Sequence, residues 1–352
     1  PFVLASLFYL LFDGFYRVIY RASTSAFFKD FTFRILVLIN LGLYYFHLID
    51  FNTFLNLYVL AFASPAILMF FYLLFIGEFR LSGSLKEPEP GLYRKLISVA
   101  FFGLISGFST IAMLNIDKYM VNHFLDLDAA GIYSISFFFG SLILIPGKAM
   151  RRISTTVLTD AFKQKDNAQI KRVYNKTTLS MLLIGAVLFV FLWANIDNVF
   201  RILPEPYSSG KWVMFFIGLA FILNLSSGLS SQIILYSDYY RLHSLIMISS
   251  IGLIVALNFT LIPLLGITGA AIATAVTYLS IGIFRWGFIW SKFGLQPYSK
   301  EHLIVLLSAG AIYLFSLLIP QLSLIPDIIV RSLFIGLAFL ILIRTSKVSP
   351  EA

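Results

Sequence analysis

Chemistry in this chain is best sought where ionisable side chains interrupt apolar stretches, because a charge at the centre of a membrane helix costs about 2.5–3.5 kcal/mol on insertion scales. Asp13, Arg17 and Arg21 stand at i, i+4 and i+8, a spacing that puts all three on one helical face. Arg34 opens the next apolar stretch. One reading makes these residues a cationic strip lining a hydrated cavity, able to meet a phosphate. The other makes Asp13–Arg17 a self-neutralising pair, with Arg21 reaching back to the interface. A second candidate is Asp117-Lys118, within Asn115-Ile116-Asp117-Lys118-Tyr119-Met120. Adjacent helical residues point about 100° apart, so the two look for different partners. Asp117 either carries a proton or ion, or makes a structural bond between helices. Lys148, Arg151 and Arg152 follow Pro146-Gly147, and Arg285 closes a later stretch. These four read as anchors at the ends of spans, with Pro146 able to kink its helix so that this end moves.

Catalytic signatures are missing. The four histidines (His47, His123, His243, His302) are scattered, and no metalloprotease helix, phosphate-binding glycine loop or nucleophile elbow occurs. Asp126 and Asp128 form a D-x-D, but in a turn too short to hold a donor sugar. There is no cysteine, hence no disulfide or thiolate metal site. The sequence therefore points to a non-enzyme without cofactor or metal.

The elements that carry these residues are membrane helices. Hydrophobic residues make up 59% of the 352 positions and charged ones 12%, and mean hydropathy is +0.89. Apolar runs of about 20 residues, enough to cross roughly 30 Å of hydrocarbon, follow one another with short polar breaks. The runs do not alternate, which favours helices over a barrel. The fold class is an all-α polytopic membrane protein with eleven spans, at about 2–20, 31–49, 54–77, 94–122, 131–158, 173–195, 211–236, 241–262, 266–290, 301–319 and 328–344. Thr159 to Lys176 reads as an amphipathic connector with Asp166 as a helix cap. Nothing remains to build a soluble domain.

Lys and Arg sort onto alternate loops. One side collects nearly all of them, and the other has only Arg201, Lys211 and Arg331, with Lys118 inside a span. The rich side is expected to be cytoplasmic, which sets the C-terminus there too. The formal charge of +9 is thus topology, and nucleic acid is not an expected partner. Residues 1–77 read as three helices of a first bundle, 78–92 as a cytoplasmic linker marked by Pro88 and Pro90, 93–291 as a six-helix lobe, and 292–352 as two extra helices with a tail. The hairpins beginning near Asp30 and Asp238 have matching length and direction, as in a parallel internal repeat. The first span runs inward without a leader before it, so an odd number of spans is expected upstream, and the chain reads as truncated at its start.

Two strings carry a resemblance. Asp117-Lys118-Tyr119-Met120 followed by Ala129-Ala130-Gly131-Ile132-Tyr133-Ser134, and Gly266-Ile267-Thr268-Gly269-Ala270-Ala271-Ile272-Ala273-Thr274, resemble the polysaccharide biosynthesis, or O-antigen flippase, branch of the multidrug/oligosaccharidyl-lipid/polysaccharide exporter superfamily. The resemblance implies a MATE-like, two-lobed bundle of fourteen helices, of which the eleven spans would match helices four to fourteen. It implies movement of undecaprenyl-pyrophosphate-linked oligosaccharide across the bacterial cytoplasmic membrane by alternating access, for O-antigen, capsule or a similar polymer. Lipid-linked oligosaccharide, membrane lipids and polysaccharide assembly proteins would be the partners. Arg17, Arg21 and Arg34 would be the cationic wall by position, while Asp13, Asp117 and Lys118 would serve ion coupling or structure. A multidrug cation antiporter of the same superfamily is the alternative, and an integral-membrane polymerase or transferase a second. The antiporter would need carboxylates in its lobes; the polymerase would need a large outer loop.

Overall fold

The computed structural model describes residues 1–19, 21–78 and 91–345, without the side chains of Arg17, Val18, Ala22, Ser23, Ala26, Lys95 and Thr345. Most of the expected 78–92 linker, and Lys347 in the tail, lie outside the described residues. The described chain is helical throughout, and the contacts divide it into two units, Pro1–Pro90 and Gly91–Ala352.

The first unit holds α1 (Phe2–Val18), α2 (Ala22–Phe27), a π-helical turn (Phe28–Thr32), α3 (Phe33–Tyr45) and α4 (Phe51–Phe75). Its core is Phe12, Tyr16, Ala66, Met69 and Leu73, where α1 packs on α4. The buried Tyr16 hydroxyl donates to the Met69 carbonyl at 2.9 Å. Asp50 caps α4, accepting from the Thr53 amide and hydroxyl, which holds its carboxyl below the usual range.

The second unit holds α5 (Leu92–Phe124), α6 (Leu127–Ser141), α7 (Leu144–Lys163), α8 (Asn167–Ala194), α9 (Ile196–Ile202), a 3-10 turn (Glu205–Gly210), α10 (Lys211–Ser226), α11 (Ser230–Tyr236), α12 (Tyr240–Leu265), α13 (Ile267–Phe293), α14 (Lys300–Ser316) and α15 (Leu324–Thr345). At its centre α10 lies against α6, α8 and α13. Lipid offers no hydrophobic drive between helices, so close packing of small residues has to hold them together. The buried face of α13 supplies them: Gly269, Ala270, Ala271, Ala273, Thr274, Ala275 and Thr277. Gly269 is obligatory, since a Cβ there would meet the Leu261 carbonyl oxygen of α12 at 2.1 Å.

Among the described residues seven helical segments are long and apolar enough to cross a membrane, one of them α10 together with the 3-10 turn before it (Glu205–Ser226), and α6 with α7, bent by 49°, makes an eighth if counted as one span. The other three expected spans coincide with shorter helices: α1 and α14 have 17 residues and α3 has 13. The expected span 131–158 is not one rod. The ring of Pro146, in the first turn of α7, excludes the bond to the Leu142 carbonyl, and the break falls there. The expected span 211–236 parts likewise into α10 and α11. The Thr159–Lys176 connector is no separate amphipathic element: α7 runs to Lys163, a tight turn follows, and Asp166 caps α8 by accepting from the Gln169 amide at 2.9 Å. Asp126 does the same for α6, accepting from Ala129 at 2.7 Å, so the D-x-D is a helix start. Among the described residues no group of His, Cys, Asp or Glu could hold a metal ion.

Candidate functional site

In the first unit the expected cationic strip is not continuous. Helix α1 ends at Val18, and the Arg21 amide folds back onto the Tyr16 carbonyl at 2.8 Å. Arg21 therefore caps α2 instead of standing one turn beyond Arg17 on the same helix. Its guanidinium donates to the Tyr72 hydroxyl at 3.1 Å and lies 6.0 Å from that ring. Asp13 is 5% exposed and accepts the Ser25 hydroxyl across the α1–α2 turn; the Arg17 side chain lies outside the described residues. Arg34, in the first turn of α3, is exposed. Lys29, which was not singled out as a site residue, sits 4.4 Å over the Tyr9 ring beside a cavity of about 240 Å³. Its place in the π-helical turn is invisible to a 3.6-residue pattern.

In the second unit the geometry converges on Asp117. This carboxylate is 1% exposed and lies where α5, α6, α12 and α13 meet. One oxygen accepts the hydroxyls of Tyr133 at 2.8 Å and Thr274 at 2.5 Å; the other accepts the Asn258 side-chain amide at 2.7 Å. All three donors are neutral. Burying a lone carboxylate without them would cost several kcal/mol. The Asn258 carbonyl oxygen is buried beside this group with no partner. Lys118 turns away, as adjacency on a helix requires, donating to Asn115 at 3.3 Å and lying 5.1 Å over the Phe137 ring.

Arg151 and Arg285 are not plain anchors. Arg151 donates to the Asn224 side-chain oxygen at 3.1 Å, and Arg285 reaches the Met247 sulfur at 3.7 Å. They lie within electrostatic reach of one another and of Tyr278, and Arg285 also of Tyr174. Neither forms an ion pair among the described residues, and the Nε atom of each is buried without a partner. The cause is local. A Cβ on Gly147 would come within 2.2 Å of a Leu225 methyl, so glycine lets α7 approach α10 without that side chain having to shift. Arg151, one turn on, is thereby carried to Asn224. The Pro146-Gly147 pair was the available signal, and it was read as a kink alone. A cavity of about 250 Å³ adjoins Tyr278, lined also by Ser226, Ser227, Trp286, Tyr298 and His302.

The second unit thus holds two guanidiniums with no ion-pair partner among the described residues and a buried carboxylate held by neutral donors. Comparison with known proteins agrees with the architecture. No protein-family model matches the chain. It is 22% identical over 275 residues to the probable low-salt glycan biosynthesis flippase Agl15 of Haloferax volcanii, covering 77% of this chain and 57% of that protein. The chain thus spans a little over half the length of that relative. Its fold is that of the lipid II flippase MurJ in an inward closed conformation, with a TM-score of 0.66 at 13% identity over 97% of this chain and 71% of MurJ. An outward-facing multidrug resistance MATE family transporter of the MOP superfamily gives a TM-score of 0.45 at 17% identity, over 62% of this chain and 52% of that one.

Proposed function

We propose that the protein is a transporter that moves a lipid-pyrophosphate-linked oligosaccharide from the cytoplasmic to the outer leaflet for surface polysaccharide assembly. An undecaprenyl carrier, an O-antigen or capsule unit, the bacterial inner membrane and a cytoplasmic C-terminus belong to the same reading, through the motif resemblance and the sorting of Lys and Arg. Polysaccharide assembly proteins enter it on the same ground. The observation that carries it is the Arg151–Arg285 pair: two positive groups inside a membrane lobe, without a carboxylate partner among the described residues, each with an unused donor. A pyrophosphate offers the oxygens such donors lack, and a sugar head cannot cross hydrocarbon unaided. The similarity to a glycan flippase supports the substrate class. In the first unit Arg17, Arg21 and Arg34 remain cations proposed for substrate contact. Tilting of α7 about its break with α6 would carry Arg151, giving this lobe two states. Asp117 is proposed to couple them by binding a proton or small cation, since neutral donors leave its charge free to change.

The test is scrambling of a fluorescent lipid-pyrophosphate oligosaccharide in proteoliposomes. Arg151→Gln and Arg285→Gln should each slow it at least tenfold, while Lys171→Gln, on an exposed stretch, leaves the rate alone. A double variant at wild-type rate would overturn the reading. Buried carboxylates in both units, Asp13 and Asp117, keep the cation-antiporter alternative in play. Export of a lipophilic cation from the same liposomes, with no oligosaccharide movement, would favour it.

A further inference from the structure

The loops opposite the basic side carry only three cations, Arg201, Lys211 and Arg331. All three line one cavity of about 170 Å³ in the second unit, where α8 passes into α9 and α14 into α15. At roughly 30 Å³ per water this space of about 170 Å³ holds about six waters, so it admits one small head group.

Two of the cations are committed. Arg331, 7% exposed, donates to Asp327 at 2.7 Å and to the Ser316 and Ile319 carbonyls at 2.9 and 3.0 Å, closing the end of α14. Asp327 accepts in addition from the Asn198 amide at 2.6 Å and the Leu322 backbone at 3.2 Å. Lys211 pairs with Asp197 at 2.7 Å and lies 5.9 Å from the Trp193 ring. Arg201 differs. One of its terminal nitrogens donates to Asn198 at 3.3 Å and to the Leu322 carbonyl at 3.2 Å, and it has no carboxylate partner among the described residues. Its side chain is exposed, and its other donors take no further partner among the described residues. The cavity is thus a rigid frame, fixed by Asp327–Arg331 and Asn198, that presents one uncompensated guanidinium beside an aromatic wall of Trp193 and Tyr313.

We infer that this cavity is an anion-binding subsite, taking a phosphate- or carboxylate-bearing head group at the face opposite the basic end, with Arg201 as the recognising residue. Its assignment to the outer leaflet rests on the orientation proposed above; the binding itself does not depend on transport. Two sources share the chemistry: the anionic head of an outer-leaflet lipid, and an acidic or phosphorylated group of the translocated glycan. A guanidinium with free donors prefers such planar or multi-oxygen acceptors over neutral hydroxyls.

The experiment is titration of the purified chain in phosphatidylcholine nanodiscs with inorganic phosphate, pyrophosphate, glucuronate and glucose, read by tryptophan emission. A saturable change is expected with the anions and not with glucose. It should vanish in Trp193→Phe, weaken at least tenfold in Arg201→Gln, recover in part in Arg201→Lys, and persist in Arg151→Gln. Repeating the titration in phosphatidylglycerol nanodiscs separates the sources. Loss of the response there means the lipid head already fills the cavity; an undiminished response means a soluble head is the occupant. Equal affinity in wild type and Arg201→Gln, equal response to glucose and glucuronate, or no response to any anion in either nanodisc would overturn the inference. Because binding and scrambling are read separately, failure of transport and failure of this subsite are distinct results.

Discussion

Asp117 and Asp327 are both carboxylates of the second unit with almost no exposure, 1% and 3%, and each accepts hydrogen bonds on both oxygens. Their partners differ. Asp327 has Arg331 one helical turn away, 2.7 Å between charged atoms, and Arg331 spends its other donors on backbone carbonyls. The set is neutral and closed. Among the described residues Asp117 takes its hydrogen bonds only from Tyr133, Thr274 and Asn258, and Lys118 acts on it at a distance while its ammonium bonds Asn115. A buried acid matched by a cation has one comfortable charge state. A buried acid held by neutral donors keeps two within reach, because hydroxyls can turn to accept from a protonated carboxyl as readily as they donate to a carboxylate. The first arrangement fixes α14 and α15 to α9. The second suits the coupling role proposed for Asp117.

The largest effect should come from breaking the closed pair. Arg331→Met leaves Asp327 buried without its cation and the end of α14 without its donors, which should cost about 3–5 kcal/mol. The loss would be read by denaturant titration in mixed micelles. Adding Asp327→Asn to it should recover at least half, because both charges then vanish together. A stable Arg331→Met single variant would mean the pair is not what holds the tail, and the contrast with Asp117 would collapse.

Much of the Asp117 site was legible as strings before it was legible as a place. Asp117, Tyr133 and Thr274 each lie in one of the stretches that carried the resemblance, and the structure shows why those stretches matter: they end at one carboxylate. Asn258 was missed, since a lone amide in an apolar helix gives no periodic signal. Helical span positions were readable because lipid demands about 20 apolar residues. Breaks were less so: the bend at Leu142–Ile143 and the end of α1 at Val18 depend on backbone bonds, not on hydropathy. That end is what separated Arg21 from Asp13, an error no i, i+4 count could detect. Arg151 and Arg285 were discounted for a related reason. A basic residue near a helix end looks the same in sequence whether it reaches the interface or turns inward, and it is packing, at Gly147 for Arg151 and against α12 for Arg285, that decides it.

A smaller effect sharpens the comparison by asking which charge state Asp117 holds. Tyr133→Phe removes one of its three donors without changing the ring, which is itself fully buried. The cost should be about 1.5–3 kcal/mol if the acceptor is ionised and about 0.5–1.5 kcal/mol if it is a neutral acid. Measuring the same variant at low and neutral pH separates the cases. A cost that shrinks as pH falls means that Asp117 takes up a proton in the folded protein. A constant cost means that it does not, and coupling would then need a cation other than the proton.

The smallest change in stability, and the most informative, is expected from Asp117→Asn. If Asp117 were a closed structural acid like Asp327, removing its charge would strand its partners and cost several kcal/mol. With neutral donors the outcome differs. The asparagine oxygen can still accept from Tyr133 or Thr274, its amide can donate to the unpartnered Asn258 carbonyl, and no buried cation is left alone. Stability should therefore fall by less than about 1 kcal/mol, since one neutral bond is exchanged for another. Transport should nonetheless fall at least tenfold and lose its dependence on the coupling ion, because asparagine imitates only the neutral state and cannot alternate. Full transport in a stable Asp117→Asn protein would reduce the site to a structural bond between helices. Gross unfolding would show that the carboxylate is needed as a fixed charge, and the distinction between the two acids would be withdrawn.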